Sequence, residues 1–334
     1  MSSKQCLNAK LGVAKVGFGM AALGRPGYIT LGHADDLNQT YAVESMQAHA
    51  HTVLDAAWAG GVRYFDAARS YGKAETFLGS WLTTREIAAD QIVVGSKWGY
   101  TYTANWRVTV DAEKSHEVKE HSLPVLERQW SESGAIFGEQ LDLYQIHSAT
   151  LESGVLDNTA VLERLAQIRD VGTVVGLSVS GAQQGKTIER ALEIEIDGTP
   201  LFGALQATWN LLEQSATHSL QAASDQGLFV IVKEAVANGR LTERNAARTF
   251  GVQMDLLRGS ARDLDTTVDA LAIAAAIQQP WSDVVLSGAA RVAHVASNLA
   301  ALGVAWDGSI LRELAPIRET AEGYWAMRSA LAWN

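Results

Sequence analysis

Cysteine is almost absent from this chain: Cys6 is the only one among 334 residues, so no disulfide forms within it. A lone thiol fits a reducing compartment, and the expectation is a cytoplasmic protein. Proline is scarce as well, at five residues. No linker-like stretch divides the sequence, so residues 1–334 read as one domain. Long apolar runs are missing. The best, Ala270–Ile277, falls far short of the roughly 20 residues a membrane helix needs and reads as buried helix. The opening Met1-Ser2-Ser3-Lys4-Gln5-Cys6 has no apolar core, which argues against a signal peptide. Positive charge is in deficit, with 27 basic against 37 acidic side chains and a formal net charge of −10. There is no basic stripe for nucleic acid, and acidity of this size mainly supports solubility. The eight histidines are scattered. His49 and His51 are two apart and His116 and His121 five apart, spacings that do not share a helix face, so no metal site is expected.

With 47% hydrophobic residues the chain can bury a large core. Strand-like apolar runs appear at Val16–Met20, Arg63–Asp66, Ile92–Lys97, Leu143–His147, Val174–Ser178, Ala204–Trp209, Leu228–Lys233 and Val284–Ser287. Helical periodicity lies between them, at Ala48–Ala59, Ala160–Ile168, Gly185–Glu195, Ser215–Asp225, Val268–Gln278 and Val292–Leu302. Eight strand–helix alternations suit a closed α/β structure, the (β/α)8 TIM barrel; the structural rival is a doubly wound open sheet. The run Gly17-Phe18-Gly19-Met20-Ala21-Ala22 lacks the third glycine of the dinucleotide fingerprint, which argues against that rival. Three stretches exceed what a barrel needs: Tyr100–His116, Glu234–Asp265 and the tail Gly323–Asn334. Long loops on the C-terminal face usually form lids and substrate walls.

The central stretch runs from Gly61 to Glu75, GVRYFDAARSYGKAE. A short buried strand ends on Asp66, and Tyr71 follows in a small-residue loop before the apolar positions Phe77, Leu78, Trp81 and Leu82. Taken alone, the pair either shares a cleft or consists of a helix cap and a core ring. Two later strands end on Lys97 and His147. Asp66, Tyr71, Lys97 and His147, in this order and context, make the chain similar to the aldo-keto reductase family, with Gly61–Gly79 carrying its signature.

The resemblance covers about Gly17 to Asn298 and implies reduction of an aldehyde or ketone with a nicotinamide, NADP preferred, or the reverse oxidation. It makes Tyr71 the proton donor, Lys97 the cation that tunes it, Asp66 the partner of Lys97, and His147 the group that orients the substrate oxygen. The chemistry is reasonable in itself. A free phenol is too weak an acid at neutral pH, and an adjacent ammonium stabilises phenolate. The family pattern also implies cofactor contacts from Gly19, Met20, Ser178, Gln206, Lys233, Gly288, Arg291 and Asn298. Several positions depart from it. Val179 stands where an asparagine is usual, Lys233 where many members stack a tyrosine, Ser297 in place of a glutamate, and His294 where a basic residue or glutamine often lies. Lys233 either covers the nicotinamide or pairs with an acid such as Glu213 or Asp265. Trp98, Trp106 and Trp325 are candidate walls for an apolar, ring-bearing or sugar-like carbonyl compound. Two rivals remain: a cofactor-binding regulatory or sensor subunit with little turnover, and a lyase or isomerase on the same barrel.

Overall fold

The computed structural model describes residues 2–12, 14–111 and 113–334. Eight parallel strands close into a ring in which each pairs with its sequence neighbours: β1 (Val16–Gly19), β2 (Tyr64–Asp66), β3 (Val93–Trp98), β4 (Leu141–Ala149), β5 (Val174–Val179), β6 (Ala204–Thr208), β7 (Phe229–Lys233) and β8 (Val284–Ser287). The ring closes through β1 and β8, with Phe18 opposite Ser287. This is the TIM barrel expected from the alternation. The strands are β-branched and aromatic, and almost every residue in them is buried, because helices cover one side and the barrel interior the other.

The outer layer comprises α2 (Val43–Ala59), α3 (Ala74–Thr84), α4 (Leu123–Phe137), α5 (Thr159–Asp170), α6 (Gln184–Leu192), α7 (Thr217–Asp225), α8 (Gly251–Asp263), α9 (Val268–Ile277) and α10 (Val292–Leu299), and α11 (Ala321–Ser329) follows near the end of the chain; α1 (Ser3–Leu11) precedes the barrel. The sequence reading found α2, α5, α6, α7, α9 and α10 and the apolar face of α3, but missed α1 and α4 and read the stretches that hold α8 and most of α11 as long loops. Helix α1 starts at a capping box of Ser2 and Gln5. Its Leu7 and Leu11 join Tyr64, Val93, Leu143, Ala204, Phe229, Ile231 and Val284 in a separate buried cluster, so α1 closes the N-terminal mouth of the ring. Tyr64 fills the interior because the strands beside it carry glycine: a Cβ at Gly95 would stand 2.6 Å from the Tyr64 hydroxyl.

The register aligns the strand ends that matter. Gly19 lies opposite Asp66, Asp66 opposite Gly95, Lys97 opposite Gln145, Ser178 opposite Gln206, and Thr208 opposite Lys233. All fall at the C-terminal rim, where barrels of this kind carry their chemistry.

The loop expected at Tyr100–His116 is the start of a hairpin, Tyr100–Tyr102 paired antiparallel with Glu117–Lys119; Ala112 within it lies outside the described residues. A fourth long segment, residues 20–42 between β1 and α2, was not anticipated. It carries Arg25, Tyr28, His33 and Asp36 across the same rim.

Candidate active site

At the floor lies a buried ion pair between Lys97 and Asp66. Isolated buried charges are costly, and such a pair persists only when its other lone pairs and protons are satisfied. Here they are. Asp66 Oδ1 accepts from the Tyr64 hydroxyl (3.0 Å), Gln145 Nε2 (3.2 Å) and Gln206 Nε2 (3.1 Å). Lys97 Nζ also donates to the Ala67 carbonyl at 2.9 Å. Four strands therefore contribute to one polar layer inside the barrel.

Tyr71 sits above this layer. Its loop is stitched to the strand below by Ala67 N–H to the Gly95 carbonyl (2.8 Å) and Arg69 N–H to the Lys97 carbonyl (3.1 Å). From the other side, the residue 20–42 segment presses Gly24 against Gly72. A Cβ on Gly24 would lie 2.2 Å from the Tyr71 carbonyl, and Gly72 has φ +63°, so both positions require glycine. Buried Glu75, just beyond, pairs with Arg69 and accepts from Ser96 Oγ (2.5 Å) and Ser133 Oγ (2.6 Å). Glu75 thus fixes α3 to β3 and α4, and with them the loop that carries Tyr71.

The Tyr71 hydroxyl lies 3.4 Å from His147 Nε2, with the rings edge to face at 5.3 Å. His147 Nδ1 is 3.4 Å from Ser70 Oγ. Burial, then the charges of Lys97, Arg25 and Lys233, pushes the His147 imidazole well below its ordinary range, so the ring is neutral at neutral pH. Lys97 Nζ stands 4.9 Å from the centre of the Tyr71 ring. Burial is the main influence on the Tyr71 phenol and raises it; Asp66 raises it further, while Arg25 lowers it.

These side chains open on a cleft of about 530 Å³. Tyr28, Tyr100, Trp325 and Trp333 wall it, and Ser287 and Gly288 lie at the end by β8. The wall expected from three tryptophans is corrected. Trp98 is fully buried, edge-on to His121. Trp106 packs edge-on to buried Phe77 and donates to the Tyr41 carbonyl at 2.6 Å, outside the cleft lining. Trp325 does line the cleft, joined by Trp333, which stacks flat on His116 at 4.0 Å.

The residues expected at a cofactor are placed differently from one another. Gly19, Gln206, Lys233 and Gly288 line the cleft. Met20 buries its side chain in the core, although its neighbours Ala21 and Ala22 reach the cleft. Ser178 Oγ is engaged inside the protein, accepting from Ser148 N–H at 2.8 Å. Asn298 donates to Asp269 (2.8 Å) and accepts from Ser287 Oγ (2.7 Å). Arg291 is exposed and donates to Asn38 Oδ1 at 2.9 Å. Beside it, Arg244 grips Asp36 with both terminal nitrogens and touches His294 at 3.2 Å. Neither Glu213 nor Asp265 serves Lys233. Glu213 bonds Ser215, and Lys233 donates to Thr208 Oγ1 at 2.7 Å with its ammonium 5.6 Å from the Trp325 ring centre. Burial brings the Lys233 ammonium down to about 8. The adjacent Glu234, at φ +58°, is clasped by Arg328. Burial alone would raise its carboxyl, but the Arg328 and Lys233 charges outweigh that and hold it at about 2.

Sequence reasoning missed Arg25, Tyr28, Glu234 and Arg328, whereas Trp333 lies in the tail it expected to form a substrate wall. The spacing from Gly19 to Val43 was the available signal for the first two, since it is far longer than a strand–helix connection needs.

A polar barrel floor bearing Asp66 and Lys97, with Tyr71 and His147 above it, is an acid–base arrangement open to a small molecule. The Aldo/keto reductase family profile matches residues 15–315. The chain belongs to that family. It is an NAD(P)-dependent oxidoreductase that acts on carbonyl compounds. It is 26% identical over 299 residues to the D-threo-aldose 1-dehydrogenase of a Pseudomonas species, covering 80% of this chain and 88% of that protein. It is 21% identical over 329 residues to the tas protein of Escherichia coli strain K12, covering 84% and 92%. An aldo-keto reductase of Bacillus halodurans in its holo form superposes with a TM-score of 0.67 at 18% identity, covering 92% of this chain and 93% of that one, and shares the fold. No helix among the described residues is long and apolar enough to cross a membrane.

The cleft suits the nicotinamide cofactor this family uses. It runs from Tyr71 and His147 to Ser287 and Gly288, where an added Cβ at Gly288 would meet open space. The first turn of α10, just beyond, has no capping side chain and no acid, so its amides are available to an anion.

Proposed function

We propose that the chain reduces an aldehyde or ketone to an alcohol, or runs the reverse oxidation, with Tyr71 as proton donor. The Tyr71 hydroxyl and His147 Nε2, 3.4 Å apart above the Lys97–Asp66 pair, carry this reading. The bound nicotinamide supplies the hydride. A carbonyl oxygen accepts hydrogen bonds from the Tyr71 hydroxyl and from neutral His147, which fixes the face presented to the cofactor. As negative charge gathers on that oxygen, Tyr71 gives up its proton. Lys97, held by Asp66, stabilises the phenolate left behind and keeps its place under the ring. Positioned acid catalysis of this kind is worth about 10²–10⁴-fold.

Gly19, Met20 through its backbone, Gln206, Lys233 and Gly288 are the cleft-side cofactor contacts in this reading. Arg291 and Asn298 belong to its β8 end, and Ser178 supports the rim from below. NADPH is preferred over NADH, supported by Arg291 with Arg244 and His294 beside it. The whole of residues 1–334 acts as one domain, and Cys6, exposed and unpaired, fits a cytoplasmic setting. The name of the Pseudomonas relative brings aldoses into the substrate class, and the aromatic walls suit a sugar face. The test is a panel of aldehydes, ketones and aldoses followed by cofactor absorbance with NADPH and NADH. Turnover on any of them supports the reading. Tight cofactor binding with negligible turnover across the panel would instead favour a cofactor-sensing subunit.

A further inference from the structure

Arg25 occupies a place that the acid–base scheme leaves unexplained. It is 3% exposed, although it comes from a loop. Its guanidinium lies 5.3 Å from the centre of the Tyr71 ring, 5.3 Å from that of Tyr28 and 4.7 Å from that of Trp333. Nη1 donates to the carbonyl of Ser70, the residue before Tyr71, at 2.9 Å and to Glu117 at 2.8 Å. One side chain thus joins the residue 20–42 segment, the Tyr71 loop, the hairpin and the tail.

We propose that Arg25 is a positioning residue that sets both the placement and the acidity of Tyr71, in balance with Glu117; this rests on reading Tyr71 as the proton donor. The charged and titratable groups around Tyr71 are Asp66 and Lys97 from the floor, His147 from β4, Arg25 and Tyr28 from the residue 20–42 segment, Glu117 from the hairpin and Glu234 after β7. Lys97 is committed to Asp66 and the Ala67 carbonyl, and the carboxylate offsets part of the field its ammonium exerts on the phenol, so a second cation has room to act. His147 is neutral. Arg25 also has a carboxylate partner, but the two differ in burial: 3% of the Arg25 side chain is exposed against 25% of Glu117. Water screens the acid more than the guanidinium, so the positive end of this pair dominates at the phenol. The phenol is pulled down by Arg25 and pushed up by Glu117.

Removing either partner therefore moves the phenol in opposite directions. The experiment places a fluorinated tyrosine, a more acidic phenol with an accessible titration, at position 71 and reads its ionisation by fluorine NMR. No turnover is needed. In Arg25→Met the titration midpoint should rise by about one pH unit, the lower end of the usual effect of a nearby charge. Arg25→Lys, which keeps the charge, should stay within a few tenths of the parent. Glu117→Gln should fall by about half a unit. Midpoints that do not move in Arg25→Met and Glu117→Gln, or that move the same way in both, overturn the proposal. Should Arg25→Met fail to fold, Glu117→Gln decides: a downward shift supports the balance and an unmoved midpoint refutes it. Activity on the carbonyl panel is scored separately. An inert protein with both shifts would overturn the reductase reading and leave the Arg25–Tyr71 coupling standing.

Discussion

Tyr71→Phe removes one oxygen and leaves a ring that still packs edge-on to His147. Turnover should fall at least about a hundredfold, the usual scale for a lost general acid, with cofactor affinity nearly unchanged. Near-wild-type turnover would refute the scheme. Lys233 makes a second prediction. Its ammonium is tethered to Thr208 beside Trp325, on the cleft. An oxidised nicotinamide carries a positive charge and a reduced one does not, so Lys233 should disfavour the oxidised form. At about 6 Å and an effective dielectric of 20 the repulsion is roughly 3 kcal/mol before screening. A third of that shifts binding several-fold. The ratio of the two cofactor dissociation constants should therefore drop in Lys233→Met, and an unchanged ratio would remove Lys233 from this role. Arg291 makes a third. It is exposed and already hydrogen-bonded to Asn38, so its contact with a 2′-phosphate should sit at the low end of charge-assisted bonds, about 1.5 kcal/mol. Arg291→Ala should weaken NADPH roughly tenfold and leave NADH unaffected; equal losses for both cofactors would count against it.

At the scale of elements, the strands were legible and the loops were not. Each strand announces itself by a predominantly apolar run, because both its faces are buried, and Asp66, Lys97, His147 and Lys233 mark the ends of such runs as polar residues in apolar company. Their convergence then follows from parallel register. Trp98 misled for the same reason: periodicity reports burial, not which side of the rim a ring faces. Arg25 was invisible, and Trp333 could be placed no better than within a long tail, because their roles come from contacts between segments far apart in the chain, and loops carry no period. The tail illustrates this. Asn334 Nδ2 donates to the Thr30 carbonyl at 2.9 Å and its Oδ1 accepts from His33 N–H at 2.8 Å, anchoring Trp333 over the cleft. Trp333→Ala should raise the Michaelis constant for bulky or ring-bearing carbonyls several-fold and spare the smallest aldehydes. A uniform change across substrate sizes would show that the wall lies elsewhere.

At the scale of the whole molecule, pH should act on stability through buried histidine. His33 is fully buried, and burial brings its imidazole down to about 4. The unfolded chain holds a proton on this side chain below about 6.5, while the folded one stays neutral until about 4. Stability from this group is therefore complete above pH 6.5 and declines as pH falls toward 4, by up to about 3 kcal/mol. His33→Phe should flatten the fall in urea midpoint between pH 7 and pH 5 relative to wild type; an identical fall would assign the pH dependence to other groups.

The ring of strands has a further effect, on behaviour at high concentration. An open sheet ends in a row of unpaired amides and carbonyls that can recruit a second molecule into a growing ladder. Here β1 bonds both β2 and β8, so the main sheet offers no such row. The free edges among the described residues belong to two short hairpins, one of them at Glu195–Ile196 and Thr199–Pro200, where Pro200 pairs with Glu195 and has no N–H to offer a further strand. The native state is thus poorly suited to seeding fibrils. Aggregation should instead track the unfolded fraction, rising wherever the barrel opens and not where it merely crowds.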